Sequence, residues 1–439
     1  MQSVDTLIHA RWVIPVEPLE TVLEDHSIAI EDGRIIDILP TDIANSEYKA
    51  NNVQQLHSHA LIPGLVNTHT HAAMSLMRGM ADDLPLMDWL QNHIWPAEAK
   101  WISSEFVQDG TELAIAEMLK SGTTCFQDMY FFPDVTARVA DSSGIRANIG
   151  LIMIDFPTAW AQDADEYFRK GIAVHDQFRT NSLISSSFAP HAPYTVSDEP
   201  LERIRTYAEE LDIPIHMHVH ETAFEVDAAV KETGKRPLQR LSELGLLTPR
   251  LIAVHMTQLN DDEIQLLADS GCHIVHCPES NLKLASGFCQ VDKLMQAGIN
   301  IALGTDGAAS NNDLDMFSEM RTAAQLAKAV ACDASALPAA QALRMATLNG
   351  AKALGLEKDI GSLQVGKAAD ITAVDLGQLQ TQPVYHPISQ LVYAAGREQV
   401  SDVWVAGRHL LKSGKLTSMD ETDILTRANS WRDKMVEFD

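Results

Sequence analysis

Between residues 61 and 305 the chain repeats one unit, a short apolar run followed by a stretch of helical periodicity. Eight such runs occur, at 61–66, 123–127, 146–152, 183–188, 213–219, 251–254, 273–276 and 300–304. Helical patterns separate them, for example at 104–121, 198–211, 261–270 and 291–297, with Ser197 and Asn260 placed as N-caps. Gly122, Gly144, Gly271 and Gly298 stand where helices end before the next run. Alternating strand and helix implies a parallel sheet, and eight units close most simply into a (β/α)8 TIM-type barrel. An open doubly wound sheet competes, but no G-x-G-x-x-G follows an early strand.

The flanks differ in character. Residues 1–60 read as short strands at 6–13, 27–30 and 34–38, with a hairpin turn at 31–34. Strand patterns return at 371–374 and 400–405, and 420–437 reads as a polar terminal helix. The expected organisation is therefore a barrel domain over 61–359 and a small composite β-sandwich domain built from 1–60 and 360–439. A helical connector is expected at 335–354.

The chemistry-bearing residues fall where the apolar runs stop. His69-Thr-His71 follows the first run, and alternate residues of a strand share a face, so both imidazoles point to one place. His218 and Glu221 follow the fifth run, His255 the sixth and Asp306 the eighth. Barrel enzymes carry their chemistry at these C-terminal strand ends. Imidazoles with a carboxylate suit a divalent ion such as Zn²⁺ or Fe²⁺ better than Ca²⁺ or Mg²⁺, which prefer all-oxygen shells. One ion is expected, zinc ahead of iron, because no lysine ends the fourth run to bridge two. His216 and His220 share the strand face of His218, so the exact strand end could shift the ligand assignment, but the spacing to Glu221 favours His218. His57 and His59 form a second H-x-H, but they precede the first barrel strand and read as structural.

Composition bounds the partners. The formal net charge of −27 argues against nucleic acid and anionic membrane surfaces. No apolar run approaches the ~18 residues of a membrane-spanning helix, and no secretory signal pattern opens the chain. Five cysteines without C-x-x-C spacing fit buried, reduced thiols of a cytoplasmic protein.

The runs Pro63-Gly-Leu-Val-Asn-Thr-His69-Thr-His71, His216-x-His218-x-x-Glu221, Val254-His255 and Leu303-Gly-Thr-Asp306 resemble the amidohydrolase superfamily. Residues 94–100, 189–194 and 281–287 resemble its 5′-methylthioadenosine/S-adenosylhomocysteine deaminases. The resemblance spans nearly the whole chain. It implies a small-molecule nucleoside substrate, a homo-oligomer, and an ion held by His69, His71, His218 and Asp306. Such an ion lowers the pKa of water from about 15.7 toward about 7. In that scheme Asp306 accepts a proton, His255 orients the nucleophile, and Glu221 protonates a ring nitrogen while ammonia departs. The resemblance further assigns Glu98 and His191 to the ribose, with Glu221 and Asp306 also contacting substrate.

Residues 80–101, rich in Leu, Met and Trp, read as ordinary core, as an oligomer contact, or as a lid over an apolar substrate. Some family members carry a substrate-binding arginine after the third strand, whereas residues 155–167 contain none. Methylthioadenosine or adenosine is thereby favoured over S-adenosylhomocysteine. Two other readings are ranked lower. One is a hydrolase of a bare heterocycle (chlorotriazine, guanine or pterin type), and the other a non-catalytic scaffold, which would be expected to lack some of the ligands present here.

Overall fold

Gly64 is the point where the chain passes from one sheet to another. A Cβ there would lie 2.0 Å from Thr124 Oγ1, so only glycine lets the two segments approach this closely. The structure, a computed structural model, describes residues 1–436. The single apolar run 61–66 is thus two elements. Residues 61–63 end the long strand Tyr48–Pro63 of the terminal sheet, and the first barrel strand is Leu65–Thr70.

The barrel follows from the alternation. Its strands are Leu65–Thr70, Thr123–Asp128, Arg146–Met153, Ile184–Pro190, Ile215–Val219, Leu251–His255, His273–His276 and Asn300–Leu303. They lie in sequence order with every pairing parallel. The last strand meets the first through Thr68 Oγ1 donating to Leu303 O at 2.5 Å and Asp306 N donating to His69 O at 3.0 Å. Those two bonds straddle His69 and bring Asp306 beside it.

Helix starts largely obey local chemistry. Asn260 forms a reciprocal capping box with Glu263 ahead of Asp261–Ser270. Ser197 occupies the N-cap of Asp198–Leu211, but its side chain makes no cap bond; its N–H instead donates to Asp155 Oδ2 at 2.7 Å. The connector 335–354 is two short helices, Ala339–Met345 and Leu348–Ala353, because the chain turns at Ala346 and Thr347. The terminal helix runs Glu421–Val436, and Glu437 lies outside the described residues. It docks on Ser104–Lys120 through Trp431 Nε1 donating to Asp109 Oδ2 at 2.8 Å.

Both termini enter one eight-stranded sheet. Tyr48–Pro63 sits at its centre, parallel to Gln2–Val13 and antiparallel to Ile371–Asp375. The sheet curls until its two ends touch: a Cβ on Gly33 would lie 2.6 Å from Ala406 O. Ile8, Ile28, Ile35, Leu61, Ile371 and Trp404 fill the fold between. His57 and His59 lie on its central strand, in the sheet that does not carry the strand-end cluster. Arg146 of the third barrel strand pairs with Asp370 at 3.0 Å, and this buried ion pair joins barrel to sheet. Four cysteines are buried free thiols as expected, but Cys332 is exposed at a left-handed helix end. Among the described residues no helix is long and apolar enough to cross a membrane.

Candidate active site

Three strand ends leave ordinary backbone geometry at the mouth of the barrel. His220, His255 and Asp306 have φ of 54°, 76° and 68°. Non-glycine residues rarely adopt this region, and such strain gathers where side chains are aimed for function. The fifth strand stops at Val219, so His220 turns away: its Nδ1 bonds Gln258 O and its Nε2 accepts from Leu238 N. His218 remains inside, and His216 lies below it.

The inward groups converge tightly. His69 Nε2 is 3.1 Å from His218 Nε2 and 3.3 Å from Asp306 Oδ1; His71 Nε2 is also 3.3 Å from Asp306 Oδ1. His71 Nδ1 donates to Met129 O at 2.5 Å and His218 Nδ1 donates to His191 O at 2.7 Å. A carbonyl can only accept, so both imidazoles carry a hydrogen on Nδ1, and His218, held neutral by burial, keeps its lone pair on Nε2. His71 Nε2 is thereby left facing the Asp306 carboxylate oxygen, and a divalent cation could be ligated by both. Ligand atoms of His69, His71 and Asp306, and of His69, His218 and His255, lie within 4.8 Å of one another, so these residues could hold a metal ion. Burial lowers His69 to about 4 and holds His218 well below the usual range, keeping both neutral as a ligand requires.

Supporting bonds orient each group. His69 Nδ1 meets His216 Nε2 at 2.9 Å. Ser280 Oγ donates to Asp306 Oδ2 at 2.7 Å, leaving Oδ1 toward the imidazoles. His255 Nδ1 donates to Asn281 Oδ1 at 2.9 Å, which leaves its Nε2 toward Glu221 Oε2, 3.9 Å away. Glu221 is buried, which raises its carboxyl, and Ser286 Oγ lies 3.4 Å from Oε1. Glu225 clamps the turn, accepting from His220 N at 3.1 Å and Glu221 N at 2.8 Å. Sequence reading missed Ser280, Glu225 and Tyr130. Only Glu225 left a local signal, the Thr222-x-x-Glu225 spacing of a capping box.

One cavity joins these groups to Glu98 and His191, with an empty volume of about 830 Å³. Leu86, Trp89, Leu90, Ile94 and Trp95 of the segment after the first strand wall it, opposite Ile154 and Phe156. Among the described residues lining it there is no lysine or arginine. Arg169 lies instead in the helix Ala164–Phe178, its side chain 71% exposed and paired with Glu166. Glu98 accepts from Tyr130 OH at 2.8 Å, and its desolvated surroundings push the carboxyl up to about 7. Burial lowers His191 to about 3, so it is neutral, with Nδ1 3.1 Å from Thr195 Oγ1.

Residues 60–410 match the amidohydrolase family. A 5-methylthioadenosine/S-adenosylhomocysteine deaminase of Teredinibacter turnerae is 52% identical over 433 residues, 99% of this chain and 98% of its own. The counterpart from Aquifex aeolicus is 39% identical over 409 residues, 93% of this chain and 94% of its own. A crystal structure of an adenosine deaminase from Xanthomonas campestris with bound zinc superposes with a TM-score of 0.98 at 57% identity, covering 99% of both chains. An atrazine chlorohydrolase from Arthrobacter aurescens shares the fold alone, with a TM-score of 0.90 at 23% identity over 97% of this chain and 99% of that one.

Proposed function

This chain belongs to the amidohydrolase family, and on that premise we propose that it is a metal-dependent aminohydrolase of adenine nucleosides. It replaces the 6-amino group by oxygen and releases ammonia, with 5′-methylthioadenosine and adenosine as the favoured substrates. The observation that carries this reading is a single cavity holding a converged imidazole–carboxylate cluster, Glu221 and His255 together with the hydroxyl-binding candidates Glu98 and His191. Relatives named as an adenosine deaminase and as 5-methylthioadenosine/S-adenosylhomocysteine deaminases support it.

His69, His71, His218 and Asp306 would hold one divalent ion. The zinc in the Xanthomonas structure supports zinc. When bound, such an ion lowers the pKa of water enough to supply hydroxide at neutral pH. Asp306 takes the proton of the attacking water, with Ser280 fixing the carboxylate's other oxygen. His255 orients the attacking oxygen with its free Nε2, since Nδ1 is committed to Asn281. Glu221, kept protonated more readily by burial, donates to the ring nitrogen as the adjacent carbon is attacked. The carbon–nitrogen bond then breaks: the proton taken up by Asp306 leaves on ammonia, the remaining hydroxyl proton returns to Glu221, and the ring nitrogen keeps the proton that Glu221 gave it.

Glu98 accepts from the vicinal ribose hydroxyls, and His191 bonds a further hydroxyl. The apolar walls without a cation favour an uncharged 5′ substituent, which places S-adenosylhomocysteine behind methylthioadenosine. The protein acts in the cytoplasm, a reading supported by five unpaired thiols, and as a homo-oligomer. Ammonia release by metal-replete protein, compared across adenosine, methylthioadenosine, S-adenosylhomocysteine, guanine and triazines, tests the assignment. Turnover of a bare heterocycle with none of the nucleosides would replace it.

A further inference from the structure

Glu98 and Tyr130 reach the cavity from different loops. Glu98 lies in the helix Trp95–Trp101 after the first barrel strand, and Tyr130 stands two residues past the second, Thr123–Asp128. The Tyr130 hydroxyl is 2.8 Å from Glu98 Oε1, and toward a carboxylate it can only donate. That bond takes up one acceptor site of Oε1 and leaves Oε2 fully open to accept from a ligand.

The tyrosine is itself held in place. It is 4% exposed, with its ring 5.2 Å from Phe131 and 6.3 Å from His71, centroid to centroid. The preceding residue is anchored on both sides, Met129 N donating to Thr70 O at 3.0 Å and Met129 O accepting from His71 Nδ1 at 2.5 Å. A continuous series of bonds therefore runs from His71, at the reacting end of the cavity, through Met129 and Tyr130 to the Glu98 carboxylate.

We propose that Tyr130 is a positioning residue for ribose recognition. Its hydroxyl fixes the Glu98 carboxylate, at a set distance from His71, so that one oxygen stays directed at the 2′ and 3′ hydroxyls of the nucleoside. The inference rests on the assignment of Glu98 to the ribose made above. Without the phenol hydroxyl, the carboxylate loses its one fixed donor and rotates about its terminal torsion, which is a soft coordinate. The cost then falls on substrates that present hydroxyls to it and spares those that do not.

The test uses metal-replete Tyr130→Phe, Glu98→Ala and the double variant, with kcat/KM measured for adenosine and 2′-deoxyadenosine and bound zinc quantified in each. Phenylalanine keeps the ring packing. The expected result is a drop of about tenfold in the adenosine to 2′-deoxyadenosine ratio for Tyr130→Phe, as for loss of a hydrogen bond to a charged group. That drop appears in KM rather than kcat, as lost uniform binding does. Adding Tyr130→Phe to Glu98→Ala should lower the ratio no further, because the two residues act as one unit. A ratio unchanged in Tyr130→Phe but lost in Glu98→Ala overturns the proposal and leaves the ribose assignment standing. Equal losses on both substrates would also overturn it, marking Tyr130 as merely structural. A ratio unchanged in Glu98→Ala removes the ribose assignment, and the proposal falls with it.

Discussion

Replacing Glu225 with glutamine probes what holds in place the carboxylate of Glu221, the proposed proton donor. Glu225 stands three residues beyond Thr222, the N-cap of the helix Ala223–Thr233. Each of its oxygens faces a backbone donor, His220 N at 3.1 Å and Glu221 N at 2.8 Å. Glutamine has one oxygen, so it satisfies one N–H and turns its own NH₂ on the other. Glu225 is 7% exposed, and solvent does not reach the turn freely to replace the missing acceptor. A buried donor left unpaired costs about 1–3 kcal/mol. The freed turn also carries Glu221, and a displacement of about 1 Å in a reacting geometry costs on the order of a hundredfold in rate. The expected outcome is a lower denaturant midpoint together with a kcat reduced by roughly ten- to a hundredfold. Metal content should hold, because His218 lies within the strand and is bonded independently to His191. Denaturant titration, steady-state ammonia release and metal analysis on the same preparations give all three readouts. Glu232→Gln on the exposed side of the same helix is the control. Wild-type stability and kcat in Glu225→Gln would refute the clamp.

The proposed ligand set predicts one tightly bound divalent ion per chain; elemental analysis returning two, or none recoverable with added Zn²⁺ or Fe²⁺, would contradict it. Glu221→Gln should keep the ion and lose at least about 10²–10⁴-fold in turnover, the range of a general acid–base group; an unchanged rate removes Glu221 from the reaction. Desolvation raises Glu98 to about 7, so the carboxylate proposed to accept from ribose is present above that pH and protonates below it. The ratio of kcat/KM for adenosine over 2′-deoxyadenosine should accordingly fall as the pH drops through about 7. A flat ratio across that range would show that the ionised form is not what binds the hydroxyls.

Much of the architecture was legible because its determinants are local. Hydrophobic period, helix caps and strand-end position are set by residues a few places apart, and they suffice for the eight-unit barrel, the terminal sheet, and the placement of His69, His71, His218, Glu221, His255 and Asp306 near strand ends. The choice between His216, His218 and His220 was not local. It depended on the strand stopping at Val219 and on His220 entering a left-handed turn, which the clamp by Glu225 and the partners Gln258 and Leu238 stabilise. The division of the run 61–66 between two sheets likewise depended on how closely Gly64 approaches Thr124.

What only the tertiary structure decided is which polar group meets which. His69 meets His216 across 147 residues, Asp306 meets Ser280 across 26, and Glu98 meets Tyr130 across 32. Barrel closure brings these loops to one rim, and no short-range pattern encodes the distance between side chains on different loops. The chain itself specified the chemical types of the candidate site and the strand ends that bear them. The orientation of the imidazoles, and hence the fitness of that place for a cation, arises because carbonyls from other loops hold the Nδ1 hydrogens of His71 and His218 and leave each Nε2 toward the cluster.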